Sequence, residues 1–361
     1  MARYREHYEF YLALLWKEIL GVRQVPIEND FFALGGDAAA ARTMLADVER
    51  EFGVRVTADH FAAAPTVEAL ARHVREARQA SAAPQKPFRV PGSPAGPIPL
   101  VYLYTVEGEL TYSDRMLTAD LGVPIVAVRS IGMDMEEEPL STVEAMAARH
   151  VADLDELGVR PPYFVVGVCT SGNIAFEMAR IWQERGDHVA FLGLFEPPLM
   201  REIQQDKAYF VQDHVRELCK VSEVDFTPDR LDQCVQALRE SGEIPESFSD
   251  ELFMRQAEVH ALNVLAAYKY RPAGRFTGHA VFYESQAFDC GPAGLARLSD
   301  PQTATNVYES FWSQYIPAET LVRRQDCDHR SIDLTRKARE FLREDIAHAL
   351  NALNSAVPTS I

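Results

Sequence analysis

The chain has 361 residues, which is enough for two or three domains and at least one sizeable core. Acidic residues outnumber basic ones by 53 to 36, and the net charge of −17 without any basic cluster excludes nucleic acid as an expected partner. No apolar run approaches the ~20 residues of a membrane span, and the charged N-terminus lacks the apolar stretch of a signal peptide. We therefore expect a cytoplasmic protein without a membrane partner.

The five cysteines are scattered and odd in number, which is typical of reduced cytosolic thiols rather than of a disulfide framework. The sequence has no Cys-x-x-Cys and no His-Glu-x-x-His spacing, so it predicts no metal site. A reactive cysteine must therefore be recognised from its local motif.

The N-terminal part carries a helical pattern. Apolar and aromatic residues recur at helical spacing over 4–20, and Gly21 ends that helix. After a loop, Asp37 has the position and chemistry of an N-cap for a second helix over 38–52. A short helical turn and a last helix over 66–74 complete a small all-α bundle of four helices.

A proline-rich stretch at 79–98 divides the chain. It contains five prolines and no periodicity, as linkers do. We therefore expect a helical domain at 1–78 and a second domain at 99–361. Such a tether keeps the first domain near the second at high effective concentration.

The second domain alternates strands and helices. Apolar runs rich in β-favouring residues predict strands, and stretches with helical periodicity predict the helices between them. The predicted strands are 99–104, 122–128, 163–168, 188–195, 279–283 and 320–324, and the predicted helices are 140–157, 171–185 and 331–353. This alternation predicts a mostly parallel, doubly wound sheet.

A long insertion without a strand pattern occupies about 197–277. Its periodicity predicts helices at 207–221, 227–241 and 249–269. An insertion of this size at this point of a sheet is typical of a lid over an active site. An ordinary helical decoration without gating is the alternative.

One turn carries the chemistry. The apolar run 163–168 leads into Gly-Val-Cys-Thr-Ser-Gly, and a helical pattern follows directly. A strand, a tight turn and a helix form a nucleophile elbow, which is typical of the α/β-hydrolase fold. Small residues are needed two positions before and after the nucleophile, and Gly167 and Ser171 flank Cys169 in this way. Two alternatives exist: Cys169 is an ordinary core residue, or Ser171 is the nucleophile.

An acid and a histidine should follow the nucleophile along the chain. His329 lies between the last predicted strand and the last helix, where a catalytic base belongs. Glu196 ends the strand after the elbow helix, beside two prolines, and is the preferred acid. Glu284 and Asp289 follow the next strand and are its rivals, because many hydrolases place the acid there.

Backbone N–H groups should stabilise an oxyanion beside this cysteine. One is expected from Thr170, directly after the nucleophile. The other is expected from the turn at 104–108 after the first strand, where Val106 is the preferred donor.

The loop before the second helix reads Asn-Asp-Phe-Phe-Ala-Leu-Gly-Gly-Asp-Ala at 29–38. It resembles the D-x-F-F-x-L-G-G-D-S signature of peptidyl carrier domains of nonribosomal peptide synthetases, and the closing helix at 66–74 fits that family too. The resemblance implies a 4′-phosphopantetheine arm attached at position 38. This chain has Ala38 where the family has serine, and alanine has no hydroxyl to modify. An engineered substitution and a naturally unloaded carrier both agree with the sequence.

Most of residues 99–353 resembles the thioesterase domain that terminates nonribosomal peptide assembly lines. The likeness rests on G-x-C-x-S-G-N-I-A-F-E-M-A at the elbow, A-R-I-W-Q-E-R-G after it, and D-H-R-S before the last helix. It implies that Cys169 is the nucleophile, Glu196 the acid and His329 the base. The departures are cysteine for serine, glutamate for aspartate and Ser171 for glycine; an engineered cysteine is the alternative to a natural one.

The resemblance also implies a function. A peptide built by upstream condensation and adenylation modules, as in antibiotic biosynthesis, would arrive as a thioester on the docked carrier and pass to Cys169. Cysteine nucleophiles in this family are associated with strained-ring release such as β-lactone or β-lactam formation, so we expect intramolecular cyclisation. Hydrolysis to a linear peptide acid is one alternative. A catalytically inactive domain that only docks the carrier is an alternative of another class.

Overall fold

The structure is a computed structural model. It describes residues 7–22, 25–52, 54–80, 88–89, 96–103, 117–118, 121–133, 135, 137–198, 202–241, 244, 249–287, 307–328, 332–333 and 335–356. The chain divides into two compact units, one formed by residues 1–84 and 215–253 and the other by residues 85–214 and 254–361. The boundaries of the helical domain (1–78), the linker (79–98) and the second domain (99–361) remain predictions from the sequence.

Four helices lie in the N-terminal part of the first unit: α1 (His7–Leu20), α2 (Ala38–Phe52), α3 (Ala58–Ala63) and α4 (Val67–Ala80). Their apolar sides share one core with Trp16 inside it. The Trp16 ring meets Phe31 edge-on at 4.8 Å and Phe61 at 6.0 Å between centroids, a geometry that adds to the gain from burial.

The loop before α2 is shaped by its own residues. The carboxylate of Asp37 accepts hydrogen bonds from the N–H groups of Ala39 (2.9 Å) and Ala40 (2.8 Å), which confirms Asp37 as the N-cap of α2. A Cβ at Gly36 would lie 2.8 Å from the carbonyl oxygen of Phe31 and would also overlap its ring. Only glycine fits there, because the loop packs directly on the core aromatic.

The remaining helices are α5 (Val143–Leu157), α6 (Thr170–Glu184), α7 (Lys207–Val221), α8 (Leu231–Glu240), α9 (Asp250–Lys269), α10 (Val307–Ser310) and α11 (Arg336–Ala356). Helices α7 to α9 fall where the sequence predicted helices in the insertion, while their role as a lid stays a prediction. The short α10 was not predicted from the sequence. None of the helices in the described ranges has an apolar stretch long enough to cross a membrane.

Within the described residues, seven strands form one sheet in the second unit. They are β1 (Phe88–Arg89), β2 (Leu100–Leu103), β3 (Ile125–Val128), β4 (Tyr163–Val168), β5 (Val189–Phe195), β6 (Ala280–Ala287) and β7 (Leu321–Asp328). Their order is β1-β3-β2-β4-β5-β6-β7. Strands β2 to β7 are parallel and β1 is antiparallel to β3, which confirms the predicted mostly parallel sheet.

Strand β1 lies inside the stretch that the sequence predicts to be a linker. Phe88 pairs with Ala127 and Arg89 with Val126 at the edge of the sheet. A two-residue strand is too short to show alternation, so only its partner reveals it. The linker expected at 79–98 therefore includes a short edge strand.

Alternate residues of each strand face opposite sides of the sheet. In β4, Tyr163 and Val165 pack with residues of α5 and α6, whereas Phe164 and Val166 pack in a second cluster with residues of α11. The sheet is thus covered by helices on both faces. This two-sided burial explains why β4 reads as an unbroken apolar run.

The carboxyl ends of the parallel strands meet at one edge of the sheet. The last residues of β4 and β5, Val168 and Phe195, form a register pair, and Phe195 pairs in turn with Tyr283 of β6. Cys169 and Glu196, which directly follow β4 and β5, are therefore neighbours. Ligand sites of open α/β sheets lie at this edge.

Candidate active site

Cys169 joins β4 to α6 in a backbone conformation that few residues adopt. Its φ is 51° and its ψ is −125°. Its N–H donates to the carbonyl of Phe195 at 2.8 Å, and its carbonyl accepts from the N–H of Gly172 at 2.9 Å. Such a conformation costs of order 1–3 kcal/mol and persists only where the surrounding structure enforces it. The turn therefore has the strained backbone expected of a nucleophile elbow.

The close approach of β4 and α6 explains the glycine two residues before Cys169. A Cβ at Gly167 would lie 2.7 Å from the Cα of Gly172 and would collide with the carbonyl oxygen of Ser171. A Cβ at Gly172 would lie 2.9 Å from the Cβ of Pro197. The requirement for small residues is met at 167, as predicted, and it extends to 172.

Ser171 is 3% exposed and its hydroxyl is occupied. The hydroxyl accepts from the N–H of Val168 at 2.9 Å and lies within donating distance of the carbonyls of Val168 (2.8 Å) and Leu103 (3.2 Å). A buried hydroxyl held by backbone groups is poorly placed to attack a substrate. The geometry therefore favours Cys169 over Ser171 as nucleophile.

The side chain of Cys169 is half-buried rather than enclosed in the core. It lies against the apolar cluster on the α11 side of the sheet, as does Cys327. Cys169 is also the N-cap residue of α6 and makes no side-chain capping bond. The positive end of a helix dipole stabilises negative charge at this position.

Glu196 follows β5 at a φ of 41° and is fully buried. Its N–H donates to the carbonyl of Tyr283 at 3.1 Å. Its Oε1 accepts from the backbone N–H of Ser285 and from the Ser285 hydroxyl, the latter at 2.6 Å. The carboxylate is therefore held at the carboxyl end of β5 beside Cys169, because Ser285 of β6 donates to it.

The two prolines after Glu196 are held by buried side chains. The indole N–H of Trp312 donates to the carbonyl of Pro197 at 3.1 Å. The amide of Asn173, on the first turn of α6, donates to the carbonyl of Pro198 at 3.4 Å. The turn that carries the carboxylate is thus fastened to the same helix that follows Cys169.

Glu284 has a different environment. It is buried and accepts from the N–H of Tyr308 at 3.1 Å and from Nε of Arg324 at 3.0 Å. Burial raises the pKa of Glu284 above its ordinary value, while these donors oppose the shift. Successive residues of a strand face opposite sides of the sheet, so Glu284 points away from the side on which Ser285 contacts Glu196. Of the two described acids, Glu196 is the one beside the elbow.

Three of the predicted site residues lie outside the described residues: His329, Val106 and Asp289. Strand β7 ends at Asp328, one residue before position 329 in the sequence, and the carboxyl end of β7 lies at the same edge of the sheet as Cys169. Thr170 is described and is the first residue of α6. The first N–H groups of a helix have no partner within the helix, so the N–H of Thr170 suits an oxyanion.

Position 38 is exposed at the start of α2, where an attached arm could reach a partner. Ala38 has no hydroxyl, so the residue present does not fit covalent attachment of phosphopantetheine. The described part of the chain also contains no group of three or more His, Cys, Asp or Glu side chains suited to a metal ion.

Sequence reasoning did not find the hydrogen bonds that the hydroxyls of Ser171 and Ser285 make. It treated Ser171 as a small flanking residue or as an alternative nucleophile. Ser285 is adjacent to Glu284 in sequence, but its contact with Glu196 depends on the register of β5 and β6, which the sequence does not display. The alternation that places Tyr283 and Ser285 on one face is the signal that could have suggested it.

Two family models match the chain. The model described as a phosphopantetheine attachment site matches residues 11–74, and the model described as a thioesterase domain matches residues 114–348. The second match alone covers more than half of the chain. The two matches follow one another in the order that the sequence predicted for a carrier and a thioesterase.

Curated relatives are much longer than this chain. The dimodular nonribosomal peptide synthase of Bacillus subtilis (strain 168) is 22% identical over 329 residues, which are 88% of this chain and 13% of the relative. An indigoidine synthase of Streptomyces lavendulae is 24% identical over 249 residues, covering 66% of this chain and 19% of the relative. The chain spans less than a quarter of the length of either relative.

Solved structures share the fold. A four-domain nonribosomal peptide synthetase bound to AMP and glycine matches with a TM-score of 0.62 at 19% identity, covering 95% of this chain and 26% of that one. YbtT, a type II thioesterase from the yersiniabactin pathway, matches with a TM-score of 0.51 at 18% identity, covering 74% and 99%. These matches agree with an α/β-hydrolase fold.

Proposed function

The chain belongs to the thioesterase domain family, and we propose that it releases a peptidyl group from a carrier-bound thioester at the end of nonribosomal peptide synthesis. The carrier-family match that precedes the thioesterase match supports this function. Upstream condensation and adenylation modules are the proposed partners, because the curated relatives are multimodular synthetases of greater length. The observation that carries the proposal is the strained Cys169 beside the buried carboxylate of Glu196.

Cys169 is the proposed nucleophile. Its sulfur attacks the thioester carbonyl while its proton passes to His329, which Glu196 orients. The carbon–sulfur bond to the donor thiol then breaks, the donor leaves with a proton, and the peptidyl group remains as a thioester on Cys169. The half-buried side chain and the helix that begins at Thr170 support this role.

The N–H groups of Thr170 and Val106 are the proposed oxyanion donors. The hydroxyl of Ser171 supports this assignment, because it links the elbow to the carbonyl of Leu103, the last residue of β2. Residues 104–108, where the sequence predicts a turn that contains Val106, follow Leu103 directly. A fixed end of β2 gives that turn a defined start relative to the nucleophile.

A cysteine nucleophile changes the energetics of release. Transfer from one thioester to another is nearly level in free energy, so the enzyme-bound acyl group stays activated. Transfer to serine would instead form an ester and lose that driving force. Retained activation favours ring closure by a group of the peptide itself, including strained rings, and we propose cyclisation over hydrolysis.

The helices α7 to α9 are the proposed lid, and residues 1–78 are the proposed carrier that docks on the thioesterase. With Ala38, this chain carries no arm of its own. The substrate in the assays is therefore a soluble peptidyl or aminoacyl thioester rather than a loaded carrier.

Acyl transfer to Cys169 is tested by intact mass spectrometry after a pulse of soluble thioester. The wild-type chain gains one acyl group, and Cys169→Ala gains none. A wild-type chain without an adduct, or an adduct that survives Cys169→Ala, contradicts the nucleophile and favours an inactive docking domain. Arg343→Gln, an exposed change on α11, is the control that keeps the adduct.

The released product then separates cyclisation from hydrolysis. With a synthetic peptidyl thioester that contains an internal nucleophile, ring closure gives a product lighter than the linear acid by one water. A linear acid as the sole product overturns cyclisation and leaves the thioesterase function intact.

A further inference from the structure

Ser285 of the neighbouring strand donates two hydrogen bonds to the carboxylate of Glu196. Both donors of Ser285, its backbone N–H and its hydroxyl, meet the same oxygen, Oε1. Ser285 is 2% exposed and Glu196 is fully buried, so water does not compete for these bonds. Hydrogen bonds to an ionised carboxylate are stronger than those between neutral groups.

The register of β5 and β6 sets this contact. Phe195 pairs with Tyr283, and their rings stack with centroids 4.0 Å apart and planes 5° from parallel. The Tyr283 hydroxyl donates to Asp345 of α11 at 2.9 Å, which fixes the strand against the helix layer. Ser285 lies two residues after Tyr283 and so faces the same side. The hydroxyl therefore reaches Glu196 from β6, whose position is fixed by the contacts of Tyr283 with Phe195 and Asp345.

Ser285 also adjoins the residue that fastens the chain after β7. Ser285 pairs with Gln325, which is 1% exposed. The Oε1 of Gln325 accepts from the hydroxyl of Thr335 at 2.5 Å, and its Nε2 donates to the carbonyl of Ile332 at 3.4 Å. Ser285 thus lies between the carboxylate of Glu196 and the side chain of Gln325, which holds Ile332 and Thr335.

We propose that Ser285 is a positioning residue for Glu196, and this inference rests on the proposed role of Glu196 as the acid. Glutamate has one more rotatable bond than aspartate, so its carboxylate needs an additional restraint to keep one orientation. Two donors on Oε1 supply that restraint. Ser285 acts through Glu196 and does not contact the substrate.

The test is the rate of acyl transfer to Cys169 from a soluble thioester over a range of concentrations. Ser285→Ala keeps the backbone donor and removes the hydroxyl. We expect its maximal rate to fall by about ten- to a hundredfold, the range of one charge-assisted hydrogen bond, with the half-saturating concentration unchanged. Ser285→Thr keeps a hydroxyl at the same place and should recover most of the rate.

Controls separate positioning from folding and from the proposed function itself. Thr277→Ala removes another hydroxyl of the same unit, one that donates to Oε1 of Gln183 at 2.8 Å before the amino end of β6, and should keep the rate. If Glu196→Gln slows transfer while Ser285→Ala is as fast as wild type, or if Ser285→Thr is as slow as Ser285→Ala, the positioning role is overturned and the thioesterase function stands. A wild-type chain that forms no adduct overturns both.

Discussion

The backbone N–H of Cys169 donates to the carbonyl of Phe195 at 2.8 Å, at the carboxyl ends of the parallel strands β4 and β5. The proposed nucleophile and the proposed acid therefore start from one register pair, Val168 and Phe195. Their relative position depends on the backbone spacing at this point rather than on flexible loops. Substitutions that change this spacing should affect stability and acyl transfer together.

Gly167→Ala should be the clearest such substitution. The new Cβ would lie 2.7 Å from the Cα of Gly172, and the elbow must open to admit it. We expect the free energy of unfolding to fall by about 1–3 kcal/mol, as for other overpacked sites, and acyl transfer to Cys169 to slow. Urea denaturation and the thioester pulse measure the two effects.

Gly274→Ala is the matched control for this experiment. A Cβ at Gly274 would meet only the Cδ of Arg180 at 3.9 Å, an ordinary contact. We expect its free energy of unfolding to change by less than about 1 kcal/mol. Equal effects at Gly167 and Gly274 would contradict the close approach of β4 and α6.

Ser171→Ala tests a buried hydroxyl and an alternative nucleophile together. The N–H of Val168 loses its acceptor, and an unsatisfied buried donor costs about 1–3 kcal/mol. The variant should be less stable in urea yet still gain one acyl group in the thioester pulse. Complete loss of the adduct in a folded Ser171→Ala protein would instead identify Ser171 as the nucleophile. Ser355→Ala, at an exposed site on α11, should change neither quantity.

Local patterns predicted the elbow but not the contacts that support it. The unbroken apolar run 163–168 and the helical pattern after it are recognisable locally, and Gly167 is required by a steric rule that acts within a few residues. The bonds from Ser285 to Glu196 and from Trp312 to Pro197 join residues far apart in sequence. They depend on strand register and on packing, which the sequence of either partner alone does not encode.

Length explains the elements that sequence patterns did not reveal. Strand β1 has two residues and α10 has four, so each spans only about one period, which is too short to show the repeat that identifies a strand or an amphipathic helix. Helices α2 and α7 are long enough to show their period, and the predicted bounds agree with those of the structure.

Ala38→Ser should allow phosphopantetheine to be attached. Residue 38 is exposed at the start of α2, and the substitution adds a hydroxyl without a buried contact. With coenzyme A and a phosphopantetheinyl transferase of broad specificity, the variant should gain the mass of one phosphopantetheine group and the Ala38 chain none. An equal gain in both proteins would place the attachment elsewhere, and no gain in the variant would contradict the carrier assignment of position 38.

Acid should destabilise the second unit through a buried histidine. Burial, together with the neighbouring Arg149, lowers the pKa of His150 in α5 from 6.5 to about 4. Between these values the unfolded chain binds a proton that the folded chain excludes, so stability falls as pH falls, by about 3 kcal/mol at pH 4.

His150→Leu should remove this contribution. The difference in unfolding free energy between variant and wild type should therefore be constant above pH 7. It should move in favour of the variant as pH falls from 6.5 to 4. His214, whose pKa burial also lowers to about 4, keeps a residual slope in both proteins. Urea denaturation at half-unit pH steps measures the difference, and parallel curves from pH 7.5 to 4 would contradict the buried neutral state of His150.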